Sequence, residues 1–264
     1  MIFKIQLIKT RFLIYAPFLL VLFGNLWIWR ILTTNILIGL AVVFSSYLLY
    51  KSVRSQKLEK FLLFFFLILL IFQYTKTRVS PLTYLNEQEK VLQLQRLNEH
   101  PPVKLRLGPK TFWIPLAHWL EERPEVISLY RIQNNLTDVL SPNLYFFANH
   151  PNERVGIKED EKFPYILLPF FVIGLLGLNW RKNLTALALS VFAPILLYAL
   201  IGTQIAQEPI LMFPFLTLAL INGLESALAW ISKLKSPNLI KATIGIFIVI
   251  YVISLAQTAY YNFS

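Results

Sequence analysis

The chain has 264 residues, of which 56% are hydrophobic and only 15% are charged. A soluble globule of this length needs more polar surface than that composition supplies, so an ordinary water-soluble domain is excluded. The formal net charge is +11, but the basic residues lie beside apolar runs rather than forming one basic surface, which argues against nucleic acid as a partner. Cysteine is absent, which excludes disulfides, thiolate zinc sites and cysteine nucleophiles.

Seven apolar stretches follow one another along the chain and predict transmembrane helices. They are Phe12–Trp29, Ile31–Tyr50, Phe61–Thr75, Phe163–Trp180, Asn183–Gln207, Pro209–Ser232 and Ala242 to the end. Roughly twenty helical residues cross the ~30 Å hydrocarbon layer, so six stretches are long enough and the third is short. We therefore predict an all-α integral membrane protein with membrane regions at residues 1–75 and 163–264. The first span is expected to be retained, because no small-residue cleavage site follows it.

The basic residues predict the orientation of these spans, since positive charges near helix ends stay on the cytoplasmic side. With seven alternating spans, twelve lysines and arginines fall in the inner segments, whereas the short outer connections hold only Arg30. We expect a multi-pass protein of the cell membrane, with a cytoplasmic N-terminus and an extracytoplasmic C-terminus.

Residues 76–162 differ from the rest of the chain, because they hold 12 basic and 11 acidic residues. This segment is predicted to be a small, mainly helical extracytoplasmic domain between the third and fourth spans. One helix is expected at Tyr84–Glu99. A second, amphipathic helix is predicted from the apolar spacing of Trp113, Leu116, Ala117 and Leu120. The second helix either packs on a neighbouring helix or lies on the membrane surface.

Motifs that identify a catalytic or cofactor site on their own are missing from the sequence: it contains no HExxH, no Gly-rich phosphate loop and no GxSxG. We predict no metal and no cofactor. His118 shares a helical face with Glu121 or Glu122, which would suit a metal or an acid–base pair, but a solvated helix face is the simpler interpretation.

Glu225 is the outlying residue of the sixth predicted span, and Asn222 stands one turn away. A carboxylate inside a membrane helix is costly unless it is partnered, so we expect Glu225 to face other helices. It belongs either to a proton or ion path or to an ion pair near the inner interface, and we favour the pair. The cations expected to reach it are Arg181, Lys233 and Lys235.

Residues 135–178 resemble a segment of bacterial membrane glycosyltransferases of the GT-C type. The matching text is SPNLYFF at residues 141–147, followed by a span that contains LPFFVIGLLGL at residues 168–178. In those enzymes an external SP-x-LFF segment runs into a span that begins with a PFxxIGL-like stretch. Ala193-Pro194 and the EPILMFPF run at residues 208–215 fit the following spans, so the resemblance covers the C-terminal half.

The resemblance implies sugar transfer from a polyprenyl-phosphate donor, with a carboxylate in the first external loop acting as base or metal partner. The predicted loop Leu26–Asn35 contains no Asp or Glu, and Glu208 stands where the family has a basic residue. Three explanations remain: a noncatalytic relative, a chain split from its catalytic half, or a different acid, Asp138 or Glu153, doing the work. We favour the first two.

The expected function is therefore handling of a polyprenyl-phosphate-linked saccharide without a complete catalytic site. Candidate phosphate contacts are Arg154 and Arg131, and candidate sugar-stacking residues are Tyr145 and Trp113. The alternative for these aromatic residues is a place in the core of the external segment or at the membrane surface. The alternative function is a structural or assembly subunit whose external segment binds another protein, and an exposed apolar patch on that segment would favour it.

Overall fold

A computed structural model describes residues 16–57, 60–76, 81–147, 161–181, 184–201, 209–233 and 236–263. Within these ranges the chain is mostly helical and has one β-hairpin. The helices are α1 Ala16–Phe23, α2 Leu26–Thr34, α3 Ile36–Ser55, α4 Lys60–Lys76, α5 Glu87–Glu99, α6 Leu116–Glu121, α7 Pro124–Leu140, α8 Asn143–Phe146, α9 Tyr165–Gly177, α10 Leu184–Ile201, α11 Ile210–Ile231 and α12 Pro237–Phe263. The hairpin strands are β1 Val103–Leu107 and β2 Lys110–Ile114.

Four of these helices, α3, α10, α11 and α12, are long and apolar enough to cross a membrane. The pair α1 and α2 also passes this test if it counts as one span, although the two helices are bent by 60°. α4 and α9 are apolar but shorter. Apolar helices thus occur in all seven predicted stretches, whereas helix length supports four or five spans among the described residues.

The predicted boundary between the first two spans is wrong. Residues 26–34 form α2 instead of an external loop, and the chain turns at Asn35. Asn25 and Asn35 are both N-caps: the Asn25 side chain accepts from Ile28 N at 2.9 Å, and the Asn35 side chain accepts from Leu37 N at 3.1 Å. An N-cap asparagine satisfies backbone donors that a helix start leaves open. The charge of Arg30 suggested a loop, but the two caps define a short helix between them.

The fold has two compact units. The first comprises residues 1–76, 141–194 and 207–264, and the second comprises residues 77–140 and 195–206. In the first unit α9 packs along α11, and α3 packs against both α4 and α11. These contacts bury almost every side chain in the first half of α11, so α11 is the central helix of the unit.

The second unit contains the hairpin, which replaces the predicted helical stretch at Trp113. Trp113 lies in β2 opposite Lys104, and α6 begins only at Leu116. The strands are joined by Gly108-Pro109, with Gly108 at φ +64°, a value that glycine adopts without steric penalty. The other predicted helix of this segment is present as α5. It begins at Glu87 because Asn86 caps it in a capping box with Glu89.

Candidate functional site: polar contacts between the apolar helices

Glu225 on α11 reaches across to α3. The Tyr50 hydroxyl donates a hydrogen bond to Glu225 Oε1 at 2.9 Å, and the Arg54 guanidinium forms an ion pair with Glu225 Oε2. Tyr50 and Arg54 are four residues apart and therefore share one face of α3. The Arg54 guanidinium carbon also lies 4.6 Å from the centre of the Tyr50 ring. The carboxylate is thus held by a hydroxyl and a cation from the same neighbouring helix.

Arg54 is not among the three cations that the sequence suggested as partners of Glu225. The Glu225 side chain is 25% exposed and that of Arg54 is 48% exposed, so the pair lies at the edge of the helix bundle rather than in its centre. A charge-assisted bond of this kind ties two helix ends together. Both carboxylate oxygens thus take part in contacts between α11 and α3.

Asn222 joins α11 to α9. Its side-chain amide nitrogen donates to the carbonyl oxygen of Gly174 at 2.9 Å. The two helices cross at this point without side chains between them. A Cβ at Gly174 would overlap the carbonyl oxygen of Ala219, and a Cβ at Gly223 would overlap the carbonyl oxygen of Phe170. Small residues allow backbones to approach closely, and here they bring the Gly174 carbonyl within reach of Asn222.

Three further polar side chains, in or between the apolar helices, satisfy backbone groups. Gln73 Oε1 on α4 accepts from Ile210 N at 3.3 Å, at the start of α11. The Tyr251 hydroxyl on α12 donates to the carbonyl oxygen of Gly24, at the break between α1 and α2. The Asn25 side chain serves the same break and donates to Val21 O at 2.7 Å. Irregular backbone among apolar helices is stable only when its polar groups are satisfied in this way.

An aromatic cluster lies where α9 and α11 begin. Its centre is Trp27, whose ring centroid is 5.0 Å from that of Phe213, 5.7 Å from that of Phe163 and 6.4 Å from that of Tyr145. Phe163 N donates to Tyr145 O at 2.9 Å, which joins the two parts of the segment that resembles the transferases. Tyr145 is buried, and its burial raises the pKa of the phenol. Tyr145 thus lies in the core of the first unit.

The remaining candidate residues lie in different surroundings. Arg131 forms an ion pair with Glu89 at 3.0 Å and donates to the carbonyl oxygen of Tyr84. Asp138 is buried in α7. Trp113 is 59% exposed, and the Lys104 ammonium lies 4.5 Å from the centre of its ring. Glu153, Arg154 and Glu208 lie outside the described residues.

His118 lies 2.9 Å from Glu122 on α6. No group of three or more histidine, aspartate or glutamate side chains that could hold a metal ion occurs in the described ranges.

Sequence reasoning missed Tyr50, Arg54, Gln73 and Tyr251. A signal existed for Arg54, because alternating spans place the end of the second span and the end of the sixth on the same side of the membrane. The sequence also carried a signal for the crossing of α9 and α11. Ala219 and Gly223 are small residues four apart in an apolar helix, a spacing that is typical of close helix packing.

Comparison with protein-family models, with curated proteins and with solved structures found no match to this chain.

Proposed function

We propose that this chain is a noncatalytic multi-pass protein of the cell membrane that binds a polyprenyl-phosphate-linked saccharide on the outer side. In this arrangement seven helices cross the membrane, with the N-terminus in the cytoplasm and the C-terminus outside. α4 and α9 are short for this task. Local thinning of the bilayer, or lysine side chains at the ends of α4 that reach the interface, would let them cross.

Support for a noncatalytic role comes from the way the described apolar helices use their polar side chains. Glu225 is bound by Tyr50 and Arg54, and Asn222 is bound to the Gly174 carbonyl. Gln73 and Tyr251 serve backbone groups of neighbouring helices. Acid–base catalysis needs a group that can exchange a proton with the substrate. These groups join helices instead, which favours a scaffold.

The lipid-linked saccharide is proposed from the transferase resemblance. The position of the aromatic cluster favours a binding place near the start of α9 and α11. The resembling segment is folded against Trp27 and Phe213, at the start of α9 and α11. In the proposed orientation these helices begin at the outer face. Arg154 belongs to the resembling segment by sequence and lies outside the described residues. It is proposed as the phosphate contact because a planar guanidinium donates two parallel hydrogen bonds.

Binding of a polyprenyl phosphate to the purified protein tests this function. Native mass spectrometry in detergent would compare wild type, Arg154→Ala and a control, Arg123→Ala, whose guanidinium lies over the Trp119 ring in the second unit. We expect a clear loss of bound lipid for Arg154→Ala and no change for Arg123→Ala. Equal binding by all three proteins refutes Arg154 as the phosphate contact, and no binding to wild type refutes the function.

A second candidate function, a subunit whose external segment binds another protein, is favoured by α5. No residue of this helix is buried. Val91 and Leu94 are three residues apart on one face, and they are 63% and 59% exposed. The helix carries three acidic and two basic residues, so its apolar face lies among charges of both signs. Such a face is typical of a helix that packs on a protein partner.

Site-specific photo-crosslinking in the native host tests the second candidate. A photoreactive residue at Leu94 should give one crosslinked protein of defined mass, whereas the same residue at Gln88, about 120° around the helix, should not. Val91→Glu should abolish the Leu94 product without lowering the amount of protein. Equal crosslinking from both positions, or a product that survives Val91→Glu, contradicts a specific interface at α5.

A further inference from the structure

The hairpin of the second unit has one face that is apolar except for Lys110, which pairs with Leu107, and one face that carries two basic residues. The register pairs Val103 with Ile114 and Leu105 with Phe112 on one side, and Lys104 with Trp113 and Arg106 with Thr111 on the other. Side chains of successive strand residues point to opposite faces, so the apolar side chains form a continuous surface. We call this surface the hairpin patch; it consists of Val103, Leu105, Leu107, Phe112 and Ile114.

The hairpin patch is open among the described residues. Every residue of β1 is exposed, including Leu105 at 44%, and Phe112 in β2 is 48% exposed. A two-stranded sheet has little stability of its own and normally packs one face against another element. Here both faces are accessible, and the next helix adds exposed Leu116, Trp119 and Leu120. An occupant of the patch must therefore accept apolar and aromatic side chains.

The charged side chains of the hairpin itself are all basic, and the first carboxylates after it, Glu121 and Glu122, are bound to Arg96 and His118. Residues 100–120 hold Lys104, Arg106 and Lys110 but no aspartate or glutamate, although basic and acidic residues are nearly equal in number over residues 76–162. The positive charge is thus concentrated on the part of the segment that exposes the apolar face. Lysine and arginine stems are long enough to bring their charges to the rim of such a face. An occupant of the patch must therefore also carry negative charge.

We infer that the hairpin patch docks on a lipid surface that contains anionic phospholipid. Exposed apolar side chains and cations in a hairpin whose strands hold no carboxylate match the boundary between acyl chains and phosphate headgroups. Lys104 and Trp113 lie on the face opposite the patch, so their contact can persist when the patch docks. A protein partner fits less well than it does at α5, where charges of both signs surround the apolar face. The inference rests on the proposed membrane embedding of this chain.

Single-cysteine spin labelling in nanodiscs tests the inference, since the chain has no cysteine of its own. Labels would be placed at Leu105 in the patch, at Thr111 on the opposite face, and at Ile248, an exposed apolar residue of α12. Collision with oxygen reports contact with lipid, and collision with a water-soluble nickel chelate reports contact with water. In nanodiscs with anionic phospholipid we expect the labels at Leu105 and Ile248 to collide mainly with oxygen, as in lipid. The label at Thr111 should collide mainly with the nickel chelate, as in water.

Charge dependence is the second arm of the experiment. The triple variant Lys104→Gln/Arg106→Gln/Lys110→Gln, with the label at Leu105, should lower the docking equilibrium constant roughly a hundredfold. Each basic residue near an anionic surface strengthens binding roughly fivefold, and the variant removes three of them. Purely zwitterionic nanodiscs should shift the wild-type label towards water in the same way. The label at Ile248 should change in neither case.

Two outcomes overturn the inference. A label at Leu105 that reads as water in anionic nanodiscs shows that the patch does not reach lipid. A label that is shielded from both reagents in nanodiscs and in detergent shows that protein covers the patch instead. In either case a lipid signal from Ile248 leaves the membrane embedding standing, whereas a water signal from Ile248 would refute the embedding itself.

Discussion

At the scale of single residues, the carboxylate of Glu225 depends on partners that lie about 170 residues earlier in the chain. Among the described residues, removing Arg54 would leave the carboxylate with the Tyr50 hydroxyl, whereas removing both charges would leave neutral groups that still form hydrogen bonds. The cost of an uncompensated charge is larger than the net contribution of the pair. Because both side chains are partly exposed, solvent screens this interaction.

We predict that Arg54→Gln and Glu225→Gln each lower the apparent melting temperature and that the double variant loses less than the sum. The coupling should be about 0.5–1 kcal/mol, as for partly exposed pairs. Glu225→Leu should be less stable than Glu225→Gln, because leucine cannot accept from Tyr50. Thermal unfolding in detergent measures all of these variants. Lys233→Gln serves as the control and should show no coupling to Glu225; additive effects of Arg54 and Glu225 would contradict the pair.

Glu161 is expected to make the stability of the protein depend on pH. The Thr258 hydroxyl donates to Glu161 Oε2 at 2.7 Å. Burial raises the pKa of the Glu161 carboxyl above its ordinary value, and the bond from Thr258 offsets part of this shift. A raised pKa means that the folded state holds the proton more tightly than the unfolded state does. The stability that this group contributes is therefore present at low pH and is lost as the pH rises through the folded pKa.

We predict that Glu161→Gln has little effect on the melting temperature near pH 4 and raises it relative to wild type at pH 7–8. The amide still accepts from Thr258 but carries no charge to desolvate. Thr258→Val should have the opposite effect and should lower the melting temperature more at pH 8 than at pH 5. Melting curves of the three proteins across this pH range are the measurement. A constant offset between Glu161→Gln and wild type would show that ionisation of Glu161 is not coupled to folding.

At the scale of elements, the crossing of α9 and α11 depends on two positions that hold no side chain. Gly174 and Gly223 each face a backbone carbonyl of the other helix, so a single methyl group at either position forces the helices apart. Separation would also break the bond from Asn222 to the Gly174 carbonyl. Apolar helices in lipid are held mainly by such packing and by bonds between helices, because lipid itself is apolar.

We predict that Gly174→Ala and Gly223→Ala each destabilise the protein by about 1–3 kcal/mol, the range for overpacking a tight contact. Gly245→Ala on α12 is the matched control. A Cβ there meets no atom of the described residues within 4 Å, so Gly245→Ala should not destabilise the protein and should gain up to about 1 kcal/mol from the higher helix propensity of alanine. Thermal unfolding of the three variants tests this contrast. Equal stability of Gly174→Ala and Gly245→Ala would mean that the helices do not cross at the glycines.

The apolar helices were predictable from sequence, but their ends and contacts were less so. Long uncharged runs predict helices by composition alone, which is why residues 210–231 lie close to the expected range 209–232. The helix at residues 36–55 begins and ends five residues later than expected. The α2 helix was missed because a charge at Arg30 outweighed the two asparagine caps. The hairpin was missed because Trp113 fits the spacing of an amphipathic helix as well as it fits a strand. The partner of Glu225 depends on which helices pack together, and the sequence of one span does not predict which helix packs beside it.

At the scale of the whole molecule, the proposed topology places residues 76–162 outside the cytoplasm and the connection between α3 and α4 inside it. We predict that cysteines introduced at Ser55 and Ser128 are labelled by an impermeant maleimide from opposite sides of the membrane. Ser55 should react only after the cells are opened, and Ser128 should react in intact cells with a permeable outer layer. Labelling of both positions from the same side would contradict seven alternating spans.

The bond from Tyr251 to the Gly24 carbonyl joins two residues that are 227 positions apart. During synthesis the break between α1 and α2 is made long before its partner helix exists. At the usual rate of about 5–20 residues per second, the interval is roughly 10–45 s. In the proposed membrane arrangement, water or the insertion machinery must satisfy the Gly24 carbonyl throughout that interval, because hydrocarbon offers no donor. In that arrangement the break between α1 and α2 gains its contact with Tyr251 only after α12 has been inserted.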